Sequence, residues 1–180
     1  MRHVASHNPD WLVIGVDANV DALRETSRRF VAKPARGGLS NALLARLALA
    51  DAPGELVGLV DSLTVLLPWG SLLRAVAVPE DGALRALGRL CTPSAKLRVL
   101  FGYGPKTDGA AIRAHALPSL DDPATLATLR GAYGDAGFAV KARAVDTGEV
   151  RELPTTWAKR LAYSGHERRF IELTGNARSL

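Results

Sequence analysis

A doubly wound α/β domain, with a mostly parallel sheet and an antiparallel C-terminal edge, is the fold class this sequence predicts. Three observations point to it. Short, branched, apolar runs alternate with amphipathic stretches from residue 11 to 101, the order expected of βαβ units. Two late strand-like runs follow one another without an evident crossover helix, as antiparallel neighbours do. At 180 residues the chain has the length of one compact domain.

The first strand is Trp11-Leu12-Val13-Ile14-Gly15-Val16, continuously apolar and therefore expected to be buried on both faces, and it ends at Asp17. Leu23, Ser27 and Phe30 then recur at helical spacing, with Arg24, Arg28, Arg29 and Lys33 on other faces, which predicts a helix over 20–33. Pro34 and Gly37-Gly38 break it. Residues 41–49 are apolar and fit helix or strand equally, because periodicity does not separate the two over so short a run. Leu63 to Leu67 predicts a strand stopped by Pro68-Trp69-Gly70, Asp81 to Leu90 a helix, and Lys96 to Phe101 a third strand. In the last third, Thr125 to Ala136 reads as helix, while Phe138 to Ala144 and Arg168 to Leu173 read as the late strand pair.

Composition narrows the class. Apolar residues make up 47% and charged residues 23%, which excludes disordered and collagen-like chains. The net charge of +5 is compatible with a polyanionic partner, and no basic tail or acidic arm is present, so such a partner would meet a surface patch. The single cysteine, Cys91, predicts a reduced, inert thiol in an apolar context. The first residues carry no apolar leader core, and no apolar run approaches ~18 residues, so a cytoplasmic protein is expected.

In open parallel sheets ligands bind beyond the carboxyl ends of the strands. Asp17 stands at such an end, where it is either a ribose-hydroxyl acceptor or an ordinary loop or cap aspartate. Ala50 and Asp51 follow the next apolar stretch and are candidates to approach an adenine ring from the next strand end. Trp69 lies between Pro68 and Gly70, either folded back over the core or covering something flat. Trp157 sits in the polar stretch Pro154-Thr155-Thr156-Trp157-Ala158-Lys159-Arg160. Two such indoles make a slot for a planar base, each contributing about 1 to 3 kcal/mol by stacking. Arg24, Arg28, Arg29, Lys33 and Arg36 cluster within thirteen positions, and Lys159, Arg160, Arg168, Arg169 and Arg178 gather near the C-terminus. Like charges at i, i+4 oppose helix formation, so the first cluster reads as a phosphate-facing surface or as a solvated helix face. Four scattered histidines and one cysteine offer no metal-ligand spacing. Gly102-Tyr103-Gly104-Pro105-Lys106-Thr107 lacks the spacing of a phosphate cradle and is expected to be a plain loop.

Three separated segments, Ala32-Lys33-Pro34-Ala35-Arg36-Gly37-Gly38-Leu39, Leu66-Leu67-Pro68-Trp69-Gly70-Ser71-Leu72-Leu73 and Trp157-Ala158-Lys159-Arg160-Leu161, resemble in order and content the kanamycin–apramycin resistance methyltransferases. Those enzymes methylate N1 of adenine-1408 in 16S rRNA, and the resemblance runs from about residue 2 to 176. It implies a Rossmann-like, S-adenosylmethionine-dependent methyltransferase acting on the 30S subunit; the chain length predicts a single domain spanning 1–180, the residue spacing no metal, and docking on a much larger particle a monomer. Asp17 then matches the ribose-binding acid, Ala50 and Asp51 the adenine contacts, and Ser71 a contact near the cofactor's amino-acid end, and Leu66 is expected among the cofactor-binding residues. Trp69 and Trp157, with Thr156, match the grip on a flipped adenine. Arg28, Arg29, Lys33 and Arg168 match positions the family uses against ribosomal RNA, and Arg36, Lys159 and Arg160 of the same basic clusters are expected to face it too. Family members begin with a strand and an Asp-x-Gly-x-Gly loop; here the first residues match the helix after it, so that strand and loop are expected to precede residue 1 in a longer product. A chain without them is expected to bind cofactor weakly, and the rival expectation is a non-catalytic ribosome-binding protein.

Overall fold

A computed structural model describes residues 1–48, 52–79, 81–162 and 168–178. The chain forms two compact units, residues 1–52 and 53–180, each with its own sheet.

In the first unit, helix α1 (Arg2–His7) leads to strand β1 (Val13–Asp17), helix α2 (Val20–Phe30) and strand β2 (Ala42–Arg46), with a 3-10 turn over Pro34–Arg36. β1 and β2 are parallel, Val13 opposite Ala42 and Asp17 opposite Arg46. The undecided stretch is thus a strand, because its apolar side chains pair beside β1 and bury Ala42 with Ala5 and Phe30. Asn19 caps α2 by accepting from the Asp21 N–H at 2.9 Å, and the helix stops four residues before Pro34. The Asn41 side-chain amide donates towards the carbonyls of Ala5, Asn8 and Trp11, each at 3.0 Å, which ties α1 and the loop after it to the start of β2.

β1 departs from the expected burial on both faces. Ile14 is 38% and Val16 50% exposed, and Leu43, the partner of Ile14, is 53% exposed. The cluster of Ala5, Phe30 and Ala42, with Met1, Val13, Leu39 and Leu44, covers one side of a two-stranded sheet, and a continuous apolar run does not reveal how many layers flank it.

The second unit contains β3 (Val60–Leu66), α3 (Gly70–Ala77), α4 (Asp81–Leu90), β4 (Cys91–Tyr103), α5 (Pro105–His115), α6 (Pro123–Asp135), β5 (Phe138–Val145), α7 (Thr147–Arg151), α8 (Thr156–Ala162) and β6 (Arg169–Ala177). The strand order is β3-β4-β6-β5, with β3 and β4 parallel and β6 antiparallel to both neighbours. The late antiparallel pair is therefore present, with β6 inserted between β4 and the edge strand β5. Leu97, Val99, Phe101 and Tyr103 are buried at alternate positions of β4, as a strand covered by helices requires. α3 and α5 pack on β4, and α6 packs on β5. Tyr133 of α6 is fully buried beside Phe138, ring centroids 6.2 Å apart, and its hydroxyl donates to the Val76 carbonyl at 3.3 Å.

Gly102 to Thr107 is not a plain loop. Gly102 and Tyr103 complete β4, and Pro105 opens α5, where its fixed φ suits the first helical turn and its missing N–H is not needed. No described helix is long and apolar enough to cross a membrane.

Candidate functional site

The turn after β3 is built to present Trp69. Leu67 adopts φ +50°, a left-handed conformation that costs a side chain of this size about 1–2 kcal/mol, and it persists because that side chain is buried and its N–H donates to the Leu100 carbonyl at 2.7 Å. Pro68 follows, buried, and Gly70 at φ +60° starts α3. Between them the Trp69 ring stands 50% exposed, in solvent and not folded under the core.

Trp157 is presented by a different device. The Thr155 hydroxyl accepts from the Ala158 N–H at 3.0 Å and caps α8, so the chain enters the helix with Ala158 turned fully inward and Trp157, 42% exposed, turned outward. α7, closed by a capping box between Asp146 and Glu149, packs against α8 and steadies it. The Arg160 guanidinium lies 5.8 Å from the Trp157 ring centroid, a cation–π contact.

The two presentations share one foundation. Leu67 and Ala158 belong to a single buried cluster with Leu100, Val145, Val150 and Phe170, against which Leu66 and Leu161 also pack. Trp69 and Trp157 are 88 positions apart in sequence, yet each stands within two residues of that cluster. Gly102 makes room for it: a Cβ there would meet the Phe170 ring and the Arg169 carbonyl oxygen.

Arg168 precedes β6 and is held from below. Its Nε and Nη2 donate to the two carboxylate oxygens of Asp108 at 3.0 and 3.1 Å, and Nη1 reaches the Leu161 carbonyl of α8 at 3.5 Å. Burial works to raise the Asp108 pKa, but donation from Arg168, the Gly104 N–H and the Thr107 hydroxyl, with the Arg168 charge, brings it below the usual carboxylate range. Sequence reasoning missed Asp108, since nothing in a first-turn aspartate announces a partner 60 positions on. It also missed Glu172, a buried carboxylate that accepts from Arg98 at 2.8 Å and from Arg143 at 2.6 Å. Burial opposes its ionisation as well, and the two arginines outweigh that and lower its pKa.

The other expected residues are placed as follows. Leu66 ends β3, half-buried, and Ser71 is exposed in the first turn of α3. Thr156 begins α8. Lys159 and Arg160 are exposed on α8. In the first unit, Asp17 ends β1, exposed, with one oxygen accepting the Asn19 N–H at 2.8 Å. Beside it Ala18, Arg46, Leu47 and Ala48 line an open hollow of about 310 Å³ at the carboxyl ends of the two parallel strands. Arg28, Arg29, Lys33 and Arg36 are all exposed on the last turn of α2 and the turns after it. Ala50 and Asp51 lie outside the described residues. Cys91 is half-buried, its thiol pKa raised by burial, and no group of potential metal ligands occurs among the described residues.

The strand-end carboxylate of Asp17 and the hollow beside it lie at the carboxyl edge of a parallel pair, the edge at which open parallel sheets bind ligands. Comparison with known proteins shows the family. Residues 1–176 match the family described as NpmA, 16S rRNA (adenine(1408)-N(1))-methyltransferase. The enzyme of that name from Streptoalloteichus tenebrarius is 35% identical over 176 residues, covering 96% of this chain and 79% of the relative. Among solved structures, the W203A mutant of the Catenulisporales acidiphilia 16S rRNA (adenine(1408)-N(1))-methyltransferase, with cosubstrate SAM, superposes with a TM-score of 0.85 at 30% identity, covering 99% of this chain and 80% of that one. The aminoglycoside resistance methyltransferase NpmB1 gives 0.78 at 36% identity, covering 97% and 80%. With the match spanning nearly its whole length, this chain belongs to the 16S rRNA (adenine(1408)-N(1))-methyltransferase family.

Proposed function

We propose that this protein methylates N1 of adenine-1408 in the 16S rRNA of the 30S subunit, in the cytoplasm, and so confers aminoglycoside resistance. The observation that carries the reading is the shared rooting of Trp69 and Trp157: two half-exposed indoles raised from one buried cluster, flanked by Lys159, Arg160 and Arg168.

N1 of a neutral adenine already has a free lone pair, so the chain needs no general base, and positioning provides most of the rate. Trp69 and Trp157 are assigned to hold the extruded base by stacking, which offsets the few kcal/mol of unstacking it from the RNA. Their ring faces also favour the positive charge that develops on the purine, by about 1–2 kcal/mol in a desolvated site. Thr156 is assigned beside the base. Arg168, held by Asp108, is assigned to the side that meets RNA, while Lys159 and Arg160 on α8, and Arg28, Arg29, Lys33 and Arg36 after α2, are assigned to hold the surrounding backbone by charge. Asp17 would hold the ribose of S-adenosylmethionine, Ala50 and Asp51 its adenine, and Ser71 its amino-acid end, with Leu66 a further cofactor-binding residue. When bound, the cofactor would supply an electrophilic sulfonium methyl for transfer to N1. None of these roles calls for a metal or a second subunit, and we assign a monomer made of a single methyltransferase domain.

Incubation with 30S subunits and methyl-labelled cofactor, followed by primer extension, tests the proposal. A stop at nucleotide 1408 is expected; label at another nucleotide, or none, overturns it. Titration calorimetry with S-adenosylhomocysteine separates an enzyme from a non-catalytic ribosome-binding protein.

A further inference from the structure

Lys106 lies in the first turn of α5, exposed, with no hydrogen bond or ion pair among the described residues. A cation there gains nothing from the helix, whose N-terminal end carries the same sign of partial charge. Its chain neighbours serve another purpose, because the Gly104 N–H and the Thr107 hydroxyl both donate to Asp108, the carboxylate that fixes Arg168. The sheet register adds a second relationship. Tyr103, three residues before Lys106, pairs with Arg169 at the start of β6, so the first turn of α5 and the Arg168 segment leave the same end of adjacent strands. Arg168 in turn reaches the Leu161 carbonyl of α8, the helix that carries Trp157, Lys159 and Arg160. Four cations from three chain segments are thus tied to one end of the sheet, and Asp108, the carboxylate that links them, is buried.

We propose that Lys106 is a further substrate-binding residue, which contacts an RNA phosphate at the end of the sheet where Arg168 is anchored. The inference rests on the reading of the Trp69 and Trp157 end as the side that meets ribosomal RNA. Lys106 acts as a mobile point charge, whereas Arg168 is locked in direction by Asp108, so the pair divides into attraction and orientation.

Equilibrium binding of the protein to 30S subunits across a salt series, for wild type, Lys106→Glu and Lys106→Arg, tests this directly. K106E is expected to weaken binding about ten-fold and to lower the salt slope by about one, with K106R close to wild type. In steady-state methylation the loss should fall on KM and leave kcat in place. Equal affinity and slope for K106E and wild type, in a preparation that does methylate nucleotide 1408, would sink this inference alone. Weaker binding with an unchanged slope, or with a lowered melting temperature, would also overturn it, since either marks a structural role. Failure of the wild type itself to bind or methylate the subunit would remove the functional reading on which the inference stands.

Discussion

Asp108 and Arg168, 60 residues apart, form a two-pronged ion pair whose side chains are 5% and 10% exposed. It joins the first turn of α5 to the segment entering β6, and through the Leu161 carbonyl it also touches α8. A buried pair of this kind fixes direction: the guanidinium fork is held in plane by two parallel donations.

Removing one partner should cost more than the pair contributes, because the other charge is left buried. Asp108→Ala is expected to lower stability by about 3–5 kcal/mol, read as a shifted urea midpoint. Asp108→Asn should cost less and should alter the pH profile. The carboxyl pKa is depressed in the folded state, so its contribution is present above the unfolded value and disappears as pH falls through the lower folded value. The wild-type loss of stability towards strongly acid pH should therefore be shallower in the asparagine variant.

Trp69→Ala and Trp157→Ala should each reduce methylation of 30S subunits by about 5- to 150-fold, the equivalent of about 1–3 kcal/mol of stacking. Both rings are about half exposed, so the melting temperature and binding of S-adenosylhomocysteine should hold. Phenylalanine at either position should restore part of the rate. Parallel loss of fold and activity would indicate that the indoles support the cluster beneath them.

Asp17→Ala should weaken binding of S-adenosylhomocysteine by about 10- to 150-fold in calorimetry, the loss of hydrogen bonds to a charged acceptor. Its exposure and its local bond to the Asn19 N–H mean that the unit should remain folded.

Gly102→Ala should destabilise by about 1–3 kcal/mol, since the added methyl collides with the Phe170 ring and the Arg169 carbonyl oxygen in a packed sheet. Because Phe170 supports the cluster under both tryptophans, methylation should fall further than stability alone explains. Comparison of rate and urea midpoint in the same preparation checks this.

The alternation of strands and helices, the late antiparallel pair, the stop at Pro68, and the family were all legible in the amino-acid order, because each is written in short-range periodicity, turn chemistry or contiguous motif, whereas the helix expected to run to Pro34 ends at Phe30. Trp69 and Trp157 stood out for the same reason, as aromatic rings among polar, basic or turn-forming neighbours. What those rings stand on emerges only from the folded chain. That Leu67 and Ala158 share a cluster, that Asp108 holds Arg168, and that Glu172 draws together Arg98 and Arg143 depend on contacts 29 to 91 residues apart, which no local pattern encodes. Burial of β1 was misjudged on the same ground: an apolar run states what a strand tolerates around it, and the number of layers packed against it decides what it receives.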